Sequence, residues 1–160
     1  MTADEYAEQV KAELGDAWLP LVYRNCVLKI RTRSYHFGAL PRKPAVEIQH
    51  TLLGVELKVG RRRFFCPDLA TARYLSIFAR ARCKDVAIPY DITKTSQLAD
   101  ELESSWHRML LIADQNAARE SSRFKTRLHG LLIAKVRREV DAAGPGSATP
   151  EFKQNTKQRA

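Results

Sequence analysis

The middle of the chain alternates hydrophobic and polar residues with the period of a β-strand. In residues 45–51 and 54–59, the positions predicted to face inward are Val46, Ile48, Val55, Leu57 and Val59. Glu56 and Lys58 take the opposite positions of the second run, and a third run follows from Arg61. Glycines at 54 and 60 mark turns between the runs, so the pattern predicts an antiparallel meander.

A helix and a further strand are predicted after the meander. Asp68 follows Pro67 and is a typical N-cap residue, because its side-chain oxygen can accept a hydrogen bond from an early backbone N–H of a helix. The residues that would then share one helical face are apolar: Leu69, Ala72, Leu75, Phe78 and Ala79. The apolar run 86–90 predicts the strand.

Two elements are predicted before the meander. Residues 3–14 have the apolar spacing of an amphipathic helix, which Gly15 ends. Residues 21–37 alternate, and this pattern predicts a long strand. Its core face would carry Cys26, Leu28 and Ile30, and its outer face Val27, Lys29, Arg31, Arg33 and Tyr35.

The C-terminal part has apolar residues at helical spacing over residues 98–113 and again over 119–142. Two antiparallel helices hinged near Asn116 and Ala117, or one long helix, both fit this pattern. We therefore expect a single α+β domain over residues 1–143: a mainly antiparallel sheet of four to five strands backed by helices, with a C-terminal pair of long helices. Residues 144–160 are polar and rich in Gly and Pro, which predicts a disordered basic tail.

Composition narrows the class of protein. The chain has 160 residues, 44% of them hydrophobic and 28% charged, which is ordinary for one soluble domain. No apolar run approaches the roughly 20 residues that span a bilayer, so we expect no membrane insertion and a cytoplasmic location. The three cysteines are odd in number and form no Cys-x-x-Cys pair, which argues against a disulfide framework and a structural zinc site. No metal or other cofactor is expected.

The net charge of +9 is distributed unevenly. Residues 21–84 hold 14 Lys and Arg against three acidic residues, and the rest of the chain holds 13 basic and 15 acidic residues. Such an asymmetry is typical of a protein with a polyanionic partner, DNA or RNA above all. The candidate nucleic-acid-binding residues are Lys29, Arg31, Arg33, Tyr35, Arg61, Arg62, Arg63, Arg73, Arg80 and Lys84. Their cations would hold phosphates, and aromatic residues near them would stack on unpaired bases.

An enzyme is the alternative. Glu56, Leu57 and Lys58 form an acid-x-Lys triplet on a core strand, and the order of predicted elements over residues 3–90 is helix, strands, helix, strand. Both features resemble the PD-(D/E)xK nuclease superfamily. The resemblance implies a nuclease that uses Mg²⁺ or Mn²⁺, with Glu47 and Glu56 as metal ligands beside Lys58. An acid-x-Lys triplet is also common on exposed strand faces, where cross-strand ion pairs explain it.

A third class is a protein-interaction or assembly factor that forms homo-oligomers. The residues from 106 to 112 are apolar over more than one narrow stripe and include Trp106, Met109, Leu110, Leu111 and Ile112. Such a surface packs on the sheet or, if part of it stays exposed, supports self-association or a protein partner. Of the three classes, we favour a non-enzymatic basic module that binds nucleic acid or acts as an accessory factor.

Overall fold

The computed structural model describes residues 1–43 and 45–146. Its helices are α1 (Ala3–Leu14), α2 (Leu19–Val22), α3 (Leu69–Arg80), α4 (Ile92–Asn116) and α5 (Ser122–Ala143), and its strands are β1 (Thr32–His36), β2 (Val46–Thr51), β3 (Gly54–Val59), β4 (Arg62–Cys66) and β5 (Asp85–Pro89). A 3-10 turn (Gly15–Ala17) precedes α2, and a π-helical turn (Tyr23–Val27) follows it. The predicted α+β class is confirmed.

The five strands form two antiparallel sheets. The strands β2, β3 and β4 are the predicted meander, with Glu47 opposite Lys58 and Lys58 opposite Arg63. The strand β1 pairs instead with β5, with Arg33 opposite Ile88. Helix α3 connects the two sheets along the chain, since it follows β4 and precedes β5.

The long strand predicted over residues 21–37 is wrong, because residues 19–27 are helical. The buried side chains there are Trp18, Leu19, Val22, Tyr23 and Val27, which recur at helical spacing. Pro20 lies in the first turn of α2, where its missing N–H costs no hydrogen bond. The apparent alternation at Cys26, Leu28 and Ile30 belongs to half-buried residues, and the strand begins only at Thr32.

Local signals fix the ends of the other helices. The Thr2 hydroxyl accepts from Glu5 N and the Glu5 carboxylate accepts from Thr2 N, which forms a capping box at α1. Asp68 caps α3 as predicted, with Thr71 N donating to its carboxylate at 2.7 Å. The C-terminal region consists of two helices that separate at Ala117, at the predicted hinge.

Polar side chains connect distant parts of the core. The Tyr23 hydroxyl accepts from Ala87 N at 2.8 Å and donates to Gly144 O at 2.6 Å. Glu139 on α5 accepts from Lys11 Nζ at 2.9 Å and from Trp18 Nε1 at 2.8 Å. These bonds hold α5 and the first residues after it against α1, the π-helical turn and β5.

Part of the predicted C-terminal tail can be located. Besides the Gly144 contact, Pro145 O accepts from the Ser34 hydroxyl at 3.3 Å. The remainder of the predicted tail, residues 147–160, lies outside the described residues, as does Pro44 in the predicted loop before β2. Within the described ranges, no helix combines the length and the apolar composition that crossing a membrane requires.

Candidate nucleic-acid interface

A cleft of about 630 Å³ lies where four parts of the fold meet. Its walls come from the loop between β1 and β2, the C-terminal end of α3, and the facing sides of α4 and α5. The cations that line it are Arg42, Lys43, Arg80, Arg82 and Arg137. We call this site the basic cleft. Among the residues described for its lining there is no carboxylate.

The lining between these cations is largely apolar. It includes Ala45, Trp106, Gly130 and Ile133, together with Thr126 and His129. Trp106 is 5% exposed, so the cleft reaches only a small part of its ring. The basic cleft therefore combines cationic side chains with an apolar surface that lies between secondary-structure elements rather than on one of them.

Arg62 holds the loop that forms one wall. Its guanidinium donates to Phe37 O at 2.7 Å and to Ala39 O at 3.0 Å, and it lies 4.8 Å from the centre of the Phe64 ring. The far end of the loop is held by Gly60 N, which donates to Ala45 O at 2.9 Å. These anchors place Arg42 and Lys43 beside the end of α3.

Arg82 has an unusual backbone. Cys83 N donates to Phe78 O and Arg82 N donates to Ala79 O, both at 3.0 Å, which is the Schellman pattern that ends a helix. In this pattern Arg82 occupies the left-handed position, with φ 62°, where glycine is usual. A residue with a Cβ pays about 1–2 kcal/mol to adopt this conformation.

The Arg82 side chain carries a second cost. Its Nε is buried and has no hydrogen-bond partner among the described residues. An unpaired buried donor costs about 1–3 kcal/mol. Both costs fall on one residue in the wall of the basic cleft, and such local strain is typical of functional sites.

The other cations of the cleft lie close to helix ends and to a few polar partners. Arg137 Nη1 donates to Ala81 O at 3.4 Å, at the carbonyl end of α3, where a positive charge is favourable. Burial raises the pKa of Asp141, although a backbone hydrogen bond from Lys84 and the charge of Arg137 act in the opposite direction. None of the five lining cations is in an ion pair with a residue of the described ranges.

His129 is the remaining titratable group in the lining. Its Nε2 lies 2.8 Å from Asp114 Oδ1, on the facing helix α4. Asp114 is not part of the lining, so this contact orients the imidazole without placing a carboxylate in the cleft.

The structure places the arginines predicted from sequence in different surroundings. Arg80 lines the basic cleft, and Arg61 follows Gly60, where a Cβ would lie 3.2 Å from Pro41 Cγ in the loop before β2. Arg62 is the loop anchor, and Arg63 pairs with Glu56 at 3.4 Å on the outer face of the meander. Arg73 pairs with Asp100 at 2.5 Å and with Glu103 at 2.6 Å on α4.

The candidates near β1 lie outside the cleft lining. Lys29 and Arg31 precede the strand, and Arg31 lies 4.9 Å from the centre of the Tyr90 ring. Arg33 is exposed on β1, and Lys84 is exposed after α3. The Tyr35 ring packs edge-on against Phe37 and Phe64, with centres 5.1 Å and 6.3 Å apart, so it is half-buried rather than presented to a ligand.

The residues of the nuclease alternative share the outer face of the meander. Glu47 is directly opposite Lys58 and accepts from Gln49 Nε2 at 3.2 Å, while Glu56 pairs with Arg63. These contacts are the cross-strand pairs of an open sheet face. Within residues 1–43 and 45–146, no group of three or more His, Cys, Asp and Glu side chains is placed to hold a metal ion.

The apolar stretch from 106 to 112 is divided between core and surface. Trp106 and Met109 are buried, which agrees with packing inside the chain, and Leu110 and Ile112 are half-buried. Leu111 is 56% exposed. The three cysteines are free thiols, of which Cys66 and Cys83 are buried and Cys26 is half-buried.

Most cations of the basic cleft were missed in the sequence. Arg42 and Lys43 lie in a Pro-containing segment typical of a loop, and Arg82 and Arg137 lie 55 residues apart in the chain. Of the five, only Arg80 is among the candidates that the sequence indicates, because it lies at helical spacing from Arg73 on α3. The sequence matches no protein-family model and no curated protein, and no solved structure matches the chain.

Proposed function

We propose that the protein is a non-enzymatic nucleic-acid-binding or accessory module, and that it holds phosphates of its ligand at the basic cleft. The supporting observation is that Arg42, Lys43, Arg80, Arg82 and Arg137 line one concave surface together. They come from three separate parts of the chain, and no carboxylate is present in the described lining to neutralise them.

Nucleic acid suits this arrangement because its phosphates are regularly spaced. Each cation that neutralises a phosphate releases counterions and adds a salt-dependent increment to the affinity. The guanidinium group of arginine can donate two parallel hydrogen bonds to one phosphate, and four of the five cations are arginines. Surface arginines ordinarily pair with nearby acidic residues, as Arg63 and Arg73 do.

The test is a titration of a labelled oligonucleotide of about 12 nucleotides, within the range of known single-strand site sizes. Fluorescence anisotropy gives the dissociation constant at several salt concentrations. Arg80→Ala and the double variant Arg42→Ala with Lys43→Ala should each weaken binding on the order of tenfold. Each lost phosphate contact should also lower the slope of log K against log salt by about 0.7 to 0.9.

Arg108→Ala is the matched control. Arg108 is exposed on α4 and does not line the cleft, so its removal changes the net charge equally without touching the site. It should bind within about twofold of the unmodified protein, because a distant exposed charge acts only through screened electrostatics. Equal losses in Arg80→Ala and Arg108→Ala would show that binding follows net charge and would contradict a site at the cleft.

A further inference from the structure

The apolar lining of the basic cleft has no role in phosphate binding alone. Resting on the proposed function, we propose that the cleft receives an unpaired base of a single-stranded nucleic acid, while the cations around it hold the adjoining phosphates. The base would lie against the apolar surface that Ala45, Trp106 and Ile133 provide. The ligand class is then single-stranded rather than duplex nucleic acid.

The shape of the site favours a base that is free of its partner. Phosphates of a duplex lie on the outside of a convex rod, and its bases are stacked and paired, so a duplex cannot fill a cavity between a loop and two helices. The volume of about 630 Å³ falls among those of ligand pockets, which are about 300–1,000 Å³. Every base has an apolar face that can bind such a lining, whatever its sequence.

Gly130 is an independent sign that the space is kept open. It lies within the 22-residue helix α5, where glycine is unfavourable, and it lines the cleft. Among the described residues, a Cβ built at this position meets no heavy atom within 4 Å apart from its chain neighbours and the nearby backbone of its own helix. A Cβ is therefore accommodated at this position of the lining, and a long side chain such as leucine would reduce the space available to the proposed base.

Arg82 gives the same site a donor that has no partner among the described residues. A movement of the side chain that brought its Nε to a phosphate in the cleft would give this buried atom an acceptor, and the bound phosphate would favour that movement. The guanidinium could then bind the phosphate next to the inserted base.

The experiment compares three ligands with equal labels: an oligothymidylate, a strand of the same length in which abasic sites replace the bases, and a duplex. The unmodified protein should bind the oligothymidylate about tenfold more tightly than the abasic strand, since base contacts of this kind are worth about that factor. Gly130→Leu retains every cation and should lose this preference. Gln115→Leu, which adds a leucine at an exposed position of α4 outside the described lining, should keep it. Circular dichroism and thermal unfolding check that both variants fold.

Several results would overturn the inference. The abasic strand or the duplex binding as tightly as the oligothymidylate would show that no base enters the cleft. A free mononucleotide that competes as well as the oligonucleotide would identify a small-molecule site instead. If the abasic strand binds as tightly as the oligothymidylate, the proposed function survives provided that Arg80→Ala still weakens the binding of the abasic strand. The proposed function fails if the abasic strand does not bind or if its binding does not depend on Arg80.

Discussion

Arg82 occupies a left-handed backbone position that glycine would adopt at lower free energy, and this gives a test of the geometry at the end of α3. In Arg82→Gly, the cost of placing a Cβ at φ 62° is removed, and the buried unpaired Nε is removed with it. Removing the backbone strain is worth about 1–2 kcal/mol, and removing the unpaired buried donor is worth about 1–3 kcal/mol. The greater backbone freedom of glycine in the unfolded chain and the lost contacts of the arginine stem act against them.

We expect Arg82→Gly to be more stable than the unmodified protein by about 1 kcal/mol, which for a chain of 160 residues raises the midpoint of thermal unfolding by about 2–4 °C. The sharper comparison is with Arg82→Ala, because both variants lack the guanidinium and differ chiefly in the Cβ. Arg82→Gly should exceed Arg82→Ala by about 1 kcal/mol in urea unfolding.

Arg80 supplies the matched control, since it lies two residues earlier in the last turn of α3. Helical backbone favours alanine over glycine by about 1 kcal/mol, so the order of the two substitutions should reverse at this position. An Arg82→Ala protein as stable as Arg82→Gly would refute the left-handed assignment. If the glycine variant is more stable but binds oligonucleotide less tightly, Arg82 is retained for binding at a cost in stability.

Three other predictions concern the core, an ion pair and alkaline pH. Tyr23→Phe should destabilise the protein by about 1–3 kcal/mol in urea unfolding, because Ala87 N loses its buried acceptor; an unchanged midpoint would contradict that role. Arg73→Ala should cost about 1 kcal/mol through its lost pairs with Asp100 and Glu103, yet leave oligonucleotide affinity unchanged, and a large loss of affinity would place Arg73 in the interface. Burial raises the pKa of Cys66 to about 11 and of Tyr23 to about 12, so the unfolded chain loses these protons at lower pH than the folded one. Stability should therefore be complete below about pH 8.5, the ordinary cysteine pKa, and fall as pH rises towards 11, which urea midpoints at about pH 8 and pH 10.5 would show or exclude.

The elements that were predictable from sequence are those fixed by short-range signals. The meander follows from alternation and two glycine turns, and the start of α3 follows from Asp68. The same reasoning failed at residues 21–30, where apolar and polar residues alternate although the chain is helical as far as Val27 and the strand begins only at Thr32. The deciding information there is tertiary, because Leu19, Tyr23 and Val27 are buried by packing that local alternation does not reveal.

The division of five strands into two sheets was also beyond the sequence pattern. Alternation shows that a segment is a strand but does not show its partner, and β1 and β5 are separated by the whole meander and α3. Their pairing is non-local, so it depends on how α3 packs rather than on a turn.

The site residues were hard to predict from charge alone. A count of arginines does not distinguish those that bind other residues of the chain from those that can bind a ligand. Arg62 and Arg73 are bound by neighbours in the chain, and each does structural work there. Arg62 nevertheless helps to form the candidate site. It anchors the loop before β2, and this loop places Arg42 and Lys43 beside the end of α3. The basic cleft therefore contains fewer cations than the charge count suggests. Because these cations line a concave surface, only a polyanion that can enter the cleft can contact all of them together.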